Sequence, residues 1–215
     1  KTRPSGATCP AARPHQDKPI IMTTPASSRR APIVVIAPDS FKGSLSAEEV
    51  AAAIGHGIQA ALPEAQVRLC PIADGGEGTL DALMHAGGER LTVDCRNAAG
   101  QPASAPVGIL KDGSAVVESA AIVGITDAAG MAVAVDQRTT LGVGDAIGQL
   151  LGRGARHFLV ALGGSSTNDG GAGLLAALGV KFLDDSGAIV PPVPAQLQRV
   201  TQVDASGLDA RVKEA

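Results

Sequence analysis

Three times along this chain an apolar run leads into a polar loop containing glycine, and the loop leads into a segment with helical signals. Residues 33–37 are apolar throughout and β-branched at four positions, the pattern of a strand buried on both faces. Pro38 ends that run. After the loop 39–45, Ser46 and Glu49 have the spacing of a capping box and open an alanine-rich helix to about Leu62, where Pro63 stops it. Residues 67–73 predict a second strand, 74–79 its loop, and 79–86 a helix closed by Gly87 and Gly88. The order repeats with a strand at 157–162, a loop at 163–171 and a helix to about Leu178. This alternation predicts an α/β fold, a Rossmann-like, mostly parallel sheet with helices on both faces. In such sheets ligands sit beyond the carboxyl ends of the strands, and all three polar loops fall there.

Between the second and third units the pattern changes. Residues 91–95, 104–110 and 115–118 read as strands, with a hairpin turn at Lys111, Asp112 and Gly113. The stretch 89–138 is therefore read as a smaller β-rich inserted domain. It divides a Rossmann-like domain made of 32–88 and 139–215. A helix is expected over about 143–151. Further on, 180–184 and 188–190 predict a hairpin turning at 185–187, and a weak helix after Pro191, Pro192 and Pro194 runs to about Val200. Residues 1–31 hold five prolines and six basic residues against one acid, Asp17, with no apolar periodicity. They read as a disordered tail. Met22 lies just before the first patterned residues, so 1–21 are expected to be read-through sequence upstream of the start.

Composition removes several functional classes. The 215 residues carry a net charge of −3 and 45% are hydrophobic, too apolar for a disordered chain. Balanced charge and the absence of Trp and Tyr argue against a nucleic-acid binder. No apolar run approaches the roughly 20 residues of a membrane span, so no membrane partner is expected. Cys9, Cys70 and Cys95 are scattered, which excludes a disulfide framework and a CxxC metal site and fits a reducing cytosol. His15, His56, His85 and His157 have neither metal nor triad spacing.

The loop 163–173 carries the strongest local signal, with five glycines between a strand and a helix. Backbone N–H groups of Gly163, Gly164, Gly170 and Gly171 can converge on an anion, with Ser165, Ser166, Thr167 and Asn168 adding neutral donors. Phosphate binding is the favoured reading. Asp169 either ligates Mg2+ and accepts a hydroxyl proton or caps the helix. In the loop 39–45, Lys42 can neutralise a transferring phosphoryl group and Asp39 can hold a metal or a hydroxyl, with Ser40, Gly43 and Ser44 beside them. A plain polar loop with a solvated Lys42 is the alternative. Asp74 and Glu77, among Gly75, Gly76 and Gly78, suit a hard cation or a polyhydroxyl ligand, or serve the start of a helix. Glu118 reads as an edge-strand acid and 139–144 as a helix cap. The G-x-G-like runs at 171–176 and 142–147 lack the strand spacing or the third glycine of a dinucleotide fingerprint, and neither a P-loop nor a G-x-S-x-G elbow is present.

Three motifs in order, 36–45 (IAPDSFKGSL), 73–79 (ADGGEGT) and 162–173 (LGGSSTNDGGAG), together with 204–209 (DASGLD), resemble the bacterial glycerate kinase family of the non-P-loop type. Residues 117–124 and 137–140 resemble it only loosely. The resemblance implies ATP-dependent phosphorylation of D-glycerate with Mg2+ in the cytoplasm, 2-phosphoglycerate being the favoured product. It implies Asp39, Lys42 and Asp169 as catalytic residues and the remaining residues of the three loops as substrate and phosphate contacts. The family continues for roughly as long again past Ala215, in a half expected to return to the first domain and close the site. The chain is thus expected to be truncated relative to the family. The alternative function is a non-catalytic fragment that at most binds an anionic ligand.

Overall fold

A computed structural model describes residues 30–41 and 44–215. The tail expected over 1–31 therefore lies outside the described residues up to position 29, as do Lys42 and Gly43. The elements are β1 (Ile33–Ile36), α1 (Ala47–Ala61), β2 (Gln66–Leu69), α2 (Thr79–Met84), β3 (Gly88–Arg96), β4 (Pro102–Leu110), β5 (Ala115–Glu118), α3 (Ser119–Val123), α4 (Ala128–Met131), α5 (Leu141–Gly152), β6 (Phe158–Ala161), α6 (Ala172–Ala177), β7 (Lys181–Leu183), α7 (Pro194–Leu197) and β8 (Gln202–Asp204).

The fold is α/β, with parallel pairing where the alternation predicts it. β1 runs parallel to β2, with Ile33 opposite Gln66 and Ile36 opposite Leu69. β5 runs parallel to β6, with Ala115 opposite Phe158 and Glu118 opposite Ala161. Antiparallel ladders join β3 to β4 and β4 to β5, giving one sheet in the order β3-β4-β5-β6. That sheet runs across the division expected at 138/139, because β6 is hydrogen-bonded directly to β5. The β-rich segment supplies three of its four strands.

Side-chain parity sorts the two faces of this sheet. Val93, Ala105, Val107, Ala115 and Val117 lie on one side, within the same buried cluster as Val143, Ala146, Ile147 and Leu150 of α5. Those four follow the i, i+3, i+4, i+7 spacing of an apolar helix stripe. On the other side α2 packs close, and a Cβ at Gly108 would meet Leu80 and Met84 at 2.8 Å. Helices therefore cover both faces.

Two local expectations change. β1 is not buried on both faces: Ile33 and Val35 are 55% and 58% exposed. α1 packs on the side of Ile36, Val67 and Leu69, with Gly55 against them, and leaves the other side open among the described residues. The hairpin expected from 180–184 and 188–190 shrinks to one bridge, Leu183 to Ile189, and β7 pairs instead with β8. Pro191 and Pro192 have no N–H with which to extend the first ladder. The Asp184 side chain accepts from the Ser186 hydroxyl and N–H and from Ala188 N–H, and these bonds together with the Arg199 guanidinium hold its carboxyl down at about 2.

The glycines of the rejected fingerprint at 142–144 serve packing. A Cβ on Gly144 would overlap the Leu174 carbonyl oxygen and lie 2.7 Å from the Ala177 Cβ, so α5 and α6 cross at van der Waals limit. Gly148, one turn on, has only Leu178 near, at 3.8 Å. Gly144→Ala should therefore lower stability by about 1–3 kcal/mol through overpacking. Gly148→Ala should be neutral or stabilising by up to about 1 kcal/mol through helix propensity. Denaturant unfolding of the two variants checks the opposite signs.

Candidate active site

β1 and β2 release their chains at the same end, into 37–46 and 70–78, and β5 and β6 do likewise into 119–126 and 162–171. Local signals shape each exit. The capping box at Ser46 forms as expected: the Ser46 hydroxyl accepts from Glu49 N–H and the Glu49 carboxylate accepts from Ser46 N–H. Phe41 and Leu45 bridge across the turn of the first loop, and Ile72 N–H donates to the Pro38 carbonyl, tying that loop to the second.

The second and third loops touch directly. Gly163 N–H donates to the Gly75 carbonyl at 2.7 Å, and a Cβ on Gly163 would sit 2.7 Å from the Gly76 Cα. Only a glycine permits that approach. The third loop is also laced to the exit from β5. Ser166 N–H and hydroxyl both donate to the Val123 carbonyl, and Ile125 N–H donates to Gly164. Ser165 and Thr167 share a hydroxyl hydrogen bond at 2.7 Å.

A cavity of about 470 Å³ opens between these exits. Of the residues singled out from the sequence, Asp39, Ser40, Ser44, Glu77 and Gly78 line it. Asp74 is exposed beside it, its carboxylate accepting from Gly76 N–H, while Gly75 and Gly76 lie against Gly163. Residues 163–171 form the adjoining layer and do not line the cavity. Asp169 is buried there, 2% exposed. Asn168 is exposed, and the N–H groups of Asn168, Asp169 and Gly170 donate to no acceptor among the described residues. The structure thus brings the first two loops into one cavity and sets the glycine-rich loop behind them through the Gly75–Gly163 contact.

Sequence reasoning set aside Glu118. Its carboxylate reaches the cavity wall and accepts from Gly78 N–H at 3.1 Å and Leu80 N–H at 2.8 Å, capping α2 across 40 and 38 residues of sequence. Its place at the end of a strand at the ligand-binding edge was the only available signal. Glu48 and Asp81 also line the cavity, paired with His85 at 2.9 Å and Arg90 at 2.6 Å. Asp39 accepts from Ser40 N–H at 2.7 Å. Glu77 makes no hydrogen bond or ion pair among the described residues. The wall is acidic, and hydroxyls and carboxylates are the donor set of a hard divalent cation. Among the described residues, however, no three His, Cys, Asp or Glu side chains are grouped so as to hold one.

A family model described as the Glycerate kinase family matches residues 34–215. This chain belongs to the glycerate kinase family. It is 43% identical over 187 residues to a glycerate kinase of Bacillus subtilis (strain 168), covering 84% of this chain and 48% of that protein. To the glycerate 2-kinase of Escherichia coli (strain K12) it is 41% identical over 189 residues, with the same coverage. A solved structure from Salmonella typhimurium LT2, provisionally named glycerate kinase 2, superposes with a TM-score of 0.74 at 37% identity, covering 86% of this chain and 51% of that one. The chain spans about half the length of the curated relatives it matches. No helix among the described residues of this family member is long and apolar enough to cross a membrane.

Two measurements test the supports of the site. Glu118→Ala leaves two N–H groups at the start of α2 without acceptors and should cost roughly 1–3 kcal/mol in denaturant unfolding, with Glu118→Gln, which keeps one acceptor oxygen, in between. The Ser46 backbone N–H and hydroxyl hold the Glu49 carboxyl below the usual carboxylate range. A lowered folded value stabilises above the unfolded value of about 4.3 and is lost as pH falls through the folded one. The melting-temperature gap between wild type and Glu49→Gln should therefore be widest at neutral pH and close on acidification.

Proposed function

We propose that this chain forms part of an ATP-dependent glycerate kinase that transfers a phosphoryl group to a hydroxyl of D-glycerate, with 2-phosphoglycerate the favoured product. The observation that carries the reading is the convergence of three polar loops at one end of the fold, in a chain of the glycerate kinase family. The names of the relatives, glycerate kinase and glycerate 2-kinase, supply the substrate class. Cytoplasmic location follows from the same reading.

The cavity suits a small polyhydroxy acid. Asp39, Ser40 and Ser44 offer acceptors and hydroxyls from one side and Glu77 from the other. In this reading Asp39 accepts the proton of the attacking hydroxyl. The unpaired N–H groups at 168–170 are the candidate phosphate contacts of the glycine-rich loop. An acidic wall repels the glycerate carboxylate as well as a triphosphate, so both require cationic compensation. Glu77, across the cavity from Asp39, is the carboxylate proposed to meet Mg2+, which would neutralise phosphate charge when bound. Lys42, outside the described residues, is proposed to meet the transferring phosphoryl group.

The test is phosphorylation of D-glycerate by the purified protein with Mg·ATP, read by 31P NMR, which separates 2- from 3-phosphoglycerate. Product formation supports the reading, and the position of the phosphate decides the regiochemistry. Binding of phosphate or ATP with no turnover under any substrate supports the non-catalytic alternative for this chain. In a form that turns over, Lys42→Ala should lower kcat by about 10²–10³-fold, the range for loss of a transition-state charge contact. Its melting temperature should hold. An unchanged kcat returns Lys42 to a solvated loop cation.

A further inference from the structure

We propose that Asp169 is a positioning residue, a buried clasp that joins the starts of α5 and α6 and thereby fixes the glycine-rich loop, and that it neither ligates Mg2+ nor takes a proton. The inference rests on the proposed kinase reading only in treating that loop as part of the nucleotide site.

The carboxylate is 2% exposed and both oxygens are occupied. Oδ1 accepts from Gly171 N–H at 3.0 Å and from the Thr140 hydroxyl at 3.0 Å. Oδ2 accepts from Thr140 N–H at 2.7 Å, Gly173 N–H at 3.1 Å and the Thr139 hydroxyl at 3.3 Å, and lies 2.9 Å from the Thr140 hydroxyl. A carboxylate offers about four lone-pair positions, and five donor groups already converge on this one. A metal or a substrate hydroxyl could reach it only by displacing them. The Thr140 hydroxyl has no freedom either. It accepts from Leu174 N–H at 2.9 Å, so its single proton points to Asp169. The unit Leu174–Thr140–Asp169 is a closed hydrogen-bonded relay between two helix starts. It lies where α5 and α6 come close together: a Cβ on Gly173 would sit 2.6 Å from Leu141 N and 2.7 Å from Asp169 Oδ2.

The clasp ends the segment whose N–H groups at 168–170 have no acceptor among the described residues. The other end of the loop is held by Gly163 on Gly75 and by Ser166 on Val123. Pinned at both ends, the backbone of 167–170 is set in advance of any ligand, the preorganisation an anion site requires.

Asparagine separates the two roles. A metal-binding or proton-accepting carboxylate changed to Asn keeps its fold and loses its chemistry. In the clasp, either orientation of the amide turns its NH2 group onto at least one backbone N–H, at Gly171 or at Thr140 and Gly173. Asp169→Asn should therefore lower the melting temperature by roughly 5–10 °C and speed amide exchange over 164–171. Thr140→Val should act in the same direction, and the double variant should lose less than the sum. Thr140→Ser, which keeps the hydroxyl, should behave as wild type. Titration with Mg·ATP at several Mg2+ concentrations supplies the functional readout. Asp169→Asn and Thr140→Val should weaken nucleotide binding alike with unchanged Mg2+ dependence, and Thr140→Ser should restore it. An Asp169→Asn protein with wild-type melting and exchange that has lost its Mg2+ dependence overturns the proposal. So does a Thr140→Val protein indistinguishable from Thr140→Ser in stability and exchange, which decides the matter if Asp169→Asn fails to fold. If wild type binds no Mg·ATP, the nucleotide reading of the loop fails, and the clasp is still judged by melting and exchange.

Discussion

Two buried carboxylates, Glu118 and Asp169, hold the candidate site together, and each does so by accepting backbone N–H groups from a helix start elsewhere in the chain. Among the described residues neither has a Lys or Arg as a hydrogen-bond partner. A buried carboxylate without such donors is strongly unfavourable, and a buried helix start without acceptors leaves its first N–H groups orphaned. Each defect cures the other, but only if the strand end, the loop and the helix meet in one arrangement. The loops at the carboxyl ends are therefore tied to the sheet by groups that cannot be satisfied in any other register.

The glycines complete that constraint from the steric side. Gly163 lets the third loop lie on Gly76, and Gly144 lets α5 lie on α6. Where these backbones touch, the carboxylates reach their donors. The Glu77 carboxylate and the N–H groups at 168–170, which have no partner among the described residues, then lie in the loops at the edge where an α/β sheet binds its ligands. The proposed phosphoryl transfer would use that combination, a rigid frame with a few polar groups at its rim open to a ligand.

Much of this was legible in advance. The capping box at Ser46 and Glu49, the glycine stop after α2 and the apolar stripe of α5 are signals carried by residues within a turn or two of one another, and each formed where the pattern placed it. The motifs at 36–45, 73–79 and 162–173 pointed to the family, and the family model bears that out. Less legible was the partnership of strands. The β-rich stretch reads as an insertion because its alternation differs from its surroundings, yet its last strand pairs with β6, which comes 40 residues later. β1 reads as doubly buried because all its residues are apolar, yet only one face receives a helix.

What the sequence by itself determined is the set of local elements and the chemistry available in each loop, because periodicity, capping and turn propensity act over a few residues. What only the tertiary structure decided is which of those groups face the cavity and which are consumed inside. Asp39 and Asp169 are both acids in loops after strands, and nothing local distinguishes them. Asp169 is enclosed because Thr140, 29 residues before it, and the first turn of α6 close over it. Asp39 lines the cavity, its carboxylate accepting only from Ser40 N–H among the described residues. Burial and hydrogen-bond saturation are properties of the neighbours that folding brings together, and those neighbours are distant in the chain.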